Sequence, residues 1–232
     1  MNTIAGVTRP GFLGAIAAER SKVDMVSWNR PSHIGTGDIL LFSGRTWAAR
    51  SVRWMTNSPW SHVAVVVYEP ELYAEPMVFE ATRCSPLKDL VRGICVRDGV
   101  QLVSLSEKLA TYPGRVVLRP WHADVVRPSA SMVHSVLEAH LQRPYIDYVR
   151  RNICQWLGRP AAPGTFCSEF VVDVLRAWGM WGAGRPSRLY VPRDFAEPLL
   201  QDAGTPGFSQ VLTLKVGADR ELLRQDTPWA MV

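Results

Sequence analysis

Cysteine is scarce in this chain, and what there is of it is scattered. The four residues Cys84, Cys95, Cys154 and Cys167 form no Cys-x-x-Cys pair and have no histidine at ligand spacing, so neither a zinc set nor a disulfide scaffold is indicated and no metal or cofactor is called for. No apolar run approaches the roughly 18 residues needed to span a bilayer. Basic blocks are missing too. The 26 Lys and Arg stand against 21 Asp and Glu for a net +5, and Arg150-Arg151 with the scattered arginines reads as solvated surface rather than a nucleic-acid stripe. A mild attraction to anionic surfaces is all the charge implies. No internal repeat or low-complexity tract occurs. The apolar stretch Phe12 to Ala18, behind Pro10-Gly11 and a single Arg9, makes a poor secretory signal. The expected setting is therefore cytoplasmic, where a thiol stays reduced, or packaged in a virion or similar particle.

What the sequence does have is a core. With 47% hydrophobic residues in 232, one domain is the simplest organisation. We place it at residues 36–216, between an extension at 1–35 and a tail at 217–232. Within it, 38–42, 63–68, 78–82, 100–103, 115–118 and 211–216 read as strands by their runs of β-branched and apolar residues. Residues 47–55, 106–110, 131–141 and 167–178 read as helices, the third with Met132, Val136, Leu137 and Leu141 on its apolar face and the last stopped at Gly179. Residues 189–200 read as a loop leading into a short helix. The expected class is α+β, a small antiparallel sheet or half-barrel with helices packed on it. Of the nine tryptophans, Trp47, Trp54 and Trp60 all fall just ahead of His62. They either line an aromatic cleft or serve as core and rim packing.

Three segments carry the chemistry. Thr165-Phe166-Cys167-Ser168-Glu169-Phe170-Val171-Val172 places a thiol at the first position of an apolar helix, where unpaired N–H groups and the positive end of the dipole stabilise a thiolate. A cysteine in an apolar helix is also a common inert core residue. Upstream, Ser58-Pro59-Trp60-Ser61-His62 leads into Val63-Ala64-Val65-Val66-Val67-Tyr68, which fixes a titratable ring at the mouth of a buried strand. Next, Val78-Phe79-Glu80-Ala81-Thr82 sets a carboxylate within a strand, a costly position unless a cation meets it. His62, Glu80 and Cys167 have the chemical types of a thiolate–imidazolium pair oriented by a carboxylate.

Gly37-Asp38-Ile39-Leu40-Leu41-Phe42, Trp60-Ser61-His62-Val63-Ala64-Val65 and Val78-Phe79-Glu80-Ala81 resemble the successive strands of the NlpC-type papain-like cysteine peptidases and amidases. The Cys-bearing helix follows these strands instead of preceding them. With Pro144-Tyr145-Ile146-Asp147 ahead of it, that order resembles the circularly permuted branch, which includes YiiX-like proteins and relatives of lecithin retinol acyltransferase. Ala64 stands where the family often has Gly. The resemblance covers about residues 36–200 and implies Cys167 as nucleophile, His62 as base and Glu80 as orienter. It also implies Tyr145 as an oxyanion donor, helped by the backbone N–H of Cys167, and Trp60, Ser61 and Ser168 are further expected oxyanion or substrate contacts.

The other polar residues read as structural. His33, His122, His134 and His140 are expected at the surface or in packing, and Asp38 in capping its strand. Glu69 is a poorer orienter than Glu80, and Glu169 at the start of the helix would oppose a nearby thiolate. Three functions stay open. The first is a thiol hydrolase acting on an amide or ester, with cell-wall peptide as substrate. The second is a lipid acyltransferase or deacylase, and the third a virion or tail component, structural or wall-binding, in which hydrolysis is secondary.

Overall fold

The computed structural model describes residues 34–147, 163–196 and 207–216, together with Arg151, Cys154 and Leu157. The expected extension, apart from Ile34 and Gly35, the tail and the end of the 189–200 segment lie outside the described residues. Six strands, β1 (Ile39–Ser43), β2 (His62–Val67), β3 (Met77–Lys88), β4 (Cys95–Ser104), β5 (Arg115–Arg119) and β6 (Leu212–Lys215), form one open antiparallel sheet in the order β4-β3-β2-β1-β5-β6. Among the described elements, the helices α1 (Trp47–Thr56), α2 (Leu105–Thr111), α3 (Ala130–His140) and α4 (Cys167–Ala177) pack with it.

The central strands read as unbroken apolar runs because both faces of the sheet are covered. Ile39, Leu41, Val63, Val65 and Phe79 point into a core shared with α3 and α4. Their alternating neighbours Leu40, Phe42, Ala64, Val66 and Val78 join Leu105 and Leu109 of α2 on the other face. The last helix ends as its sequence requires. Gly179 takes φ +70°, which lets the N–H of Met180 reach the Leu175 carbonyl at 2.8 Å and close the helix end.

Two expectations need correction, and the choice left open for the tryptophans is decided. The third and fourth strands run well past 82 and begin well before 100, as a ribbon with a register shift between Cys84 and Lys88. Beyond the core, exposed Arg83 and Cys84 leave no apolar signature to read. On α3 the buried residues are Val133, Val136 and Leu137, while Met132 is 42% exposed. The tryptophans do not share a cleft. Trp60 is buried in the core, whereas Trp47 and Trp54 on α1 are 82% and 85% exposed.

Candidate active site

Where β2 and β3 part, the site begins. Their pairing runs Val67↔Met77, Val66↔Val78, Val65↔Phe79 and goes no further. From there β2 continues only against β1, with Phe42 opposite His62, while β3 continues only against β4, with Glu80 opposite Gln101. The strands thus open around the two polar residues. Across the opening His62 Nε2 and Glu80 Oε2 are 2.7 Å apart.

Glu80 is fully buried, and its carboxylate collects three donors. Besides His62, Gln101 Nε2 donates to Oε1 at 2.7 Å and Lys108 Nζ approaches the same oxygen at 2.5 Å. Burial alone would raise its pKa. The Lys108 charge, followed by the hydrogen bond and charge of His62, overrides that and holds the carboxyl well below its ordinary range. Lys108 is itself buried, between the rings of Phe42 at 5.5 Å and Tyr112 at 6.0 Å. Because ionised Glu80 can only accept, His62 Nε2 must carry the proton, which leaves Nδ1 for the thiol.

Cys167 opens α4, and its thiol lies close enough to His62 to act on the protonation of the imidazole. Burial would lower the imidazole pKa. The bonds and charges of Cys167 and Glu80 outweigh burial and raise it from 6.5 to about 9. No side chain caps α4 at Phe166, so the N–H groups of its first turn remain directed at the thiol's surroundings. Cys167 is 8% exposed, while Cys84 and Cys95 are exposed on the ribbon. The thiol, the imidazole and the carboxylate are therefore brought together from residues far apart in the chain.

The remaining expected site residues divide. Tyr145 is bridged to Thr165 just before α4, and its N–H bonds the Asp98 carbonyl at 2.8 Å. Burial first, then the charge at Cys167, pushes its hydroxyl pKa above the ordinary tyrosine value, which puts it in electrostatic reach of the thiol. Ser61, Ser168 and Trp60 are scaffold. Ser61 Oγ takes the Gly44 N–H at 2.9 Å and donates to the Phe42 carbonyl at 3.1 Å; Ser168 Oγ donates to the Tyr190 carbonyl at 2.7 Å. Trp60 lies in the core under Arg115.

Glu169 is ion-paired with Arg151, so its charge is met locally. Asp38 accepts from the N–H groups of Gly35 and Trp121 at 2.9 and 3.1 Å and from Arg127 at 2.6 Å, a structural post at the start of β1. Glu69 accepts from Thr36 at 3.2 Å, near the far end of β2. His122 lies by Ser209, His134 pairs with Glu138, and His140 Nδ1 bonds the Val136 carbonyl at 2.9 Å. His33 lies outside the described residues.

Three residues of the site went unread in the sequence: Lys108, Gln101 and Tyr112. Burial raises the Tyr112 pKa to about 12, with the Glu80 and Cys167 charges adding to it and the Ser61 hydrogen bond and Arg53 opposing it. Among the described residues no three of His, Cys, Asp and Glu cluster as a metal site.

No protein-family model matches the chain, and no curated protein does. Among solved structures the chain is similar to metalloprotein yiiX from Escherichia coli O157:H7, DUF1105, at 22% identity and a TM-score of 0.43, over 63% of this chain and 67% of that one.

Proposed function

We propose that the protein is a cysteine-dependent hydrolase that cleaves an amide or ester through an acyl-enzyme. The observation that carries this reading is an imidazole held by Glu80 at 2.7 Å, with the thiol of Cys167, at the start of an uncapped helix, near enough to raise its pKa. A ring with its midpoint near 9 is an imidazolium at neutral pH, suited to a thiolate partner and to protonating a leaving group.

In this reading the Cys167 thiolate adds to the substrate carbonyl carbon. The oxyanion is met by N–H groups of the first turn of α4, with the Tyr145 hydroxyl as a side-chain donor. The imidazolium gives its proton to the leaving amine or alkoxide as the bond breaks, leaving a thioester. The now neutral His62 takes a proton from water, the hydroxide displaces the thiolate, and the acid product departs. Glu80 stays ionised throughout and holds the ring. Cell-wall peptide is the substrate class we propose, on the strength of the sequence resemblance.

The test exploits the exposure order. Limiting iodoacetamide at about pH 6, read by peptide mass spectrometry, should label buried Cys167 ahead of exposed Cys84 and Cys95. Labelling that follows exposure instead would overturn the reading. Release of muropeptides from purified sacculi by the native protein and not by Cys167→Ala would then fix the substrate.

A further inference from the structure

Helix α1 has no buried residue. Its inner side, Ala49, Val52, Arg53 and Thr56, is half-buried, and Arg53 Nη1 donates to Ser43 Oγ at 3.3 Å. Its outer side shows Trp47, Trp54 and Met55, which are 82%, 85% and 44% exposed. Residues seven apart lie within about 20° on a helix and roughly 10 Å along it, so the two indoles form one ridge. Arg50 flanks that ridge, its guanidinium 5.4 Å from the Trp47 ring. From Ile39 to Tyr68 the chain contains no Asp or Glu, while Arg45, Arg50 and Arg53 fall within the same stretch.

We infer that the outer face of α1 docks the protein on an anionic lipid bilayer. Indoles favour the boundary between headgroups and acyl chains, and arginines beside them are drawn to anionic headgroups. The charge asymmetry selects this partner. A second copy of α1 would set arginine against arginine across a two-fold axis, and a convex ridge offers no groove to grip a polysaccharide. No helix among the described residues is long and apolar enough to cross a membrane, so docking here is peripheral. The inner side of α1 meets the rim of the thiol site. A Cβ built on Gly44 would lie 3.0 Å from Ala49 Cβ and 2.8 Å from the Tyr112 hydroxyl, and Tyr112 senses the charges of Glu80 and Cys167. Binding itself does not depend on the hydrolase reading, since it needs no thiol chemistry.

The experiment is flotation of the full chain with vesicles of phosphatidylglycerol and phosphatidylcholine in equal parts, and with phosphatidylcholine alone, at low and high salt. The mixed vesicles should bind the protein, high salt should release it, and neutral vesicles should bind it less. Each of Trp47→Ala and Trp54→Ala should weaken binding roughly tenfold or more, and Arg50→Glu at least about fivefold. All three variants should keep the native melting temperature and the native alkylation rate at Cys167. Undiminished flotation of the Trp47→Ala/Trp54→Ala double variant overturns the inference. So does equal binding to neutral vesicles, a dimer that the double variant converts to monomer, or binding to sacculi but not vesicles.

Discussion

Lys108→Met is the most searching perturbation of the site, because it takes the strongest charge from a carboxylate with no access to water. Glu80 is fully buried and the Lys108 side chain is 10% exposed, so solvent screens the pair little. Removing one partner of a buried ion pair costs about 3–5 kcal/mol when the other charge is left uncompensated. Here the compensation depends on pH. With its midpoint near 9, His62 is a cation at pH 6 and still meets Glu80, so the cost should sit near the low end, about 3 kcal/mol. As the pH rises through the imidazole midpoint the last cation is lost, and the cost should climb toward about 5 kcal/mol. The sign is fixed by linkage. A histidine whose folded pKa is raised contributes stability that is fully present below about 6.5 and lost as pH passes about 9. Losing the Lys108 charge raises the imidazole further, which moves the variant's loss to that value or above. For a domain of this size each kcal/mol corresponds to about 2–4 °C. Thermal unfolding of native and Lys108→Met proteins at about pH 6, 8 and 10 should therefore show a gap of roughly 6–12 °C at the lowest pH that widens toward roughly 10–20 °C above the imidazole midpoint. Lys108→Arg should close most of it. A gap that is constant or narrows as pH rises would refute the charge-compensation argument.

Other consequences follow from the same geometry. Cys167→Ala should abolish hydrolysis at a stability cost of about 1 kcal/mol, since it removes a single buried sulfur. It should also lower the His62 midpoint from about 9 by taking away a hydrogen bond and a charge, and an unchanged imidazole titration by NMR would contradict the contact. His62→Ala should slow iodoacetamide alkylation of Cys167 at about pH 6 by tenfold or more, and Glu80→Gln by less, because Glu80 does not touch the sulfur; stopped-flow labelling that reverses this order would overturn the assigned roles. Asp38→Ala should cost about 3 kcal/mol in urea unfolding, because it strands the N–H of Trp121 and the Arg127 charge. The alkylation rate of Cys167 should be untouched.

The fold was legible because its central strands obey one rule strongly. β1 and β2 are buried on both faces, so Ile39–Ser43 and His62–Val67 read as apolar runs whatever else surrounds them. Cys167 stood out for a different reason: the break from Pro160–Gly164 to an apolar helix is a boundary signal, although a thiol in an apolar helix reads equally as a core residue. The ribbon beyond Thr82 and the solvent side of α3 were not legible, because neither buries a stripe that periodicity can detect.

Lys108 marks a deeper limit. In the sequence it is a lysine in a short helix with Leu105 and Leu109 on its apolar side, and nothing local distinguishes it from a solvated residue. Its role exists only because β3 leaves β2 after Phe79 and turns Glu80 toward the face that α2 covers. The buried carboxylate did signal the need for a cation, and an imidazolium met that need on paper. The proposed mechanism sets a thiolate on the other side of the ring, and one imidazolium cannot neutralise both the sulfur and Glu80. A second buried cation meets that need: Lys108 gives Glu80 its own partner, so in the proposed mechanism His62 is left to pair with the sulfur. An orienting carboxylate buried this deeply, next to a thiolate, therefore carries an expectation beyond itself, that a second cation will be found on whatever element packs against its strand.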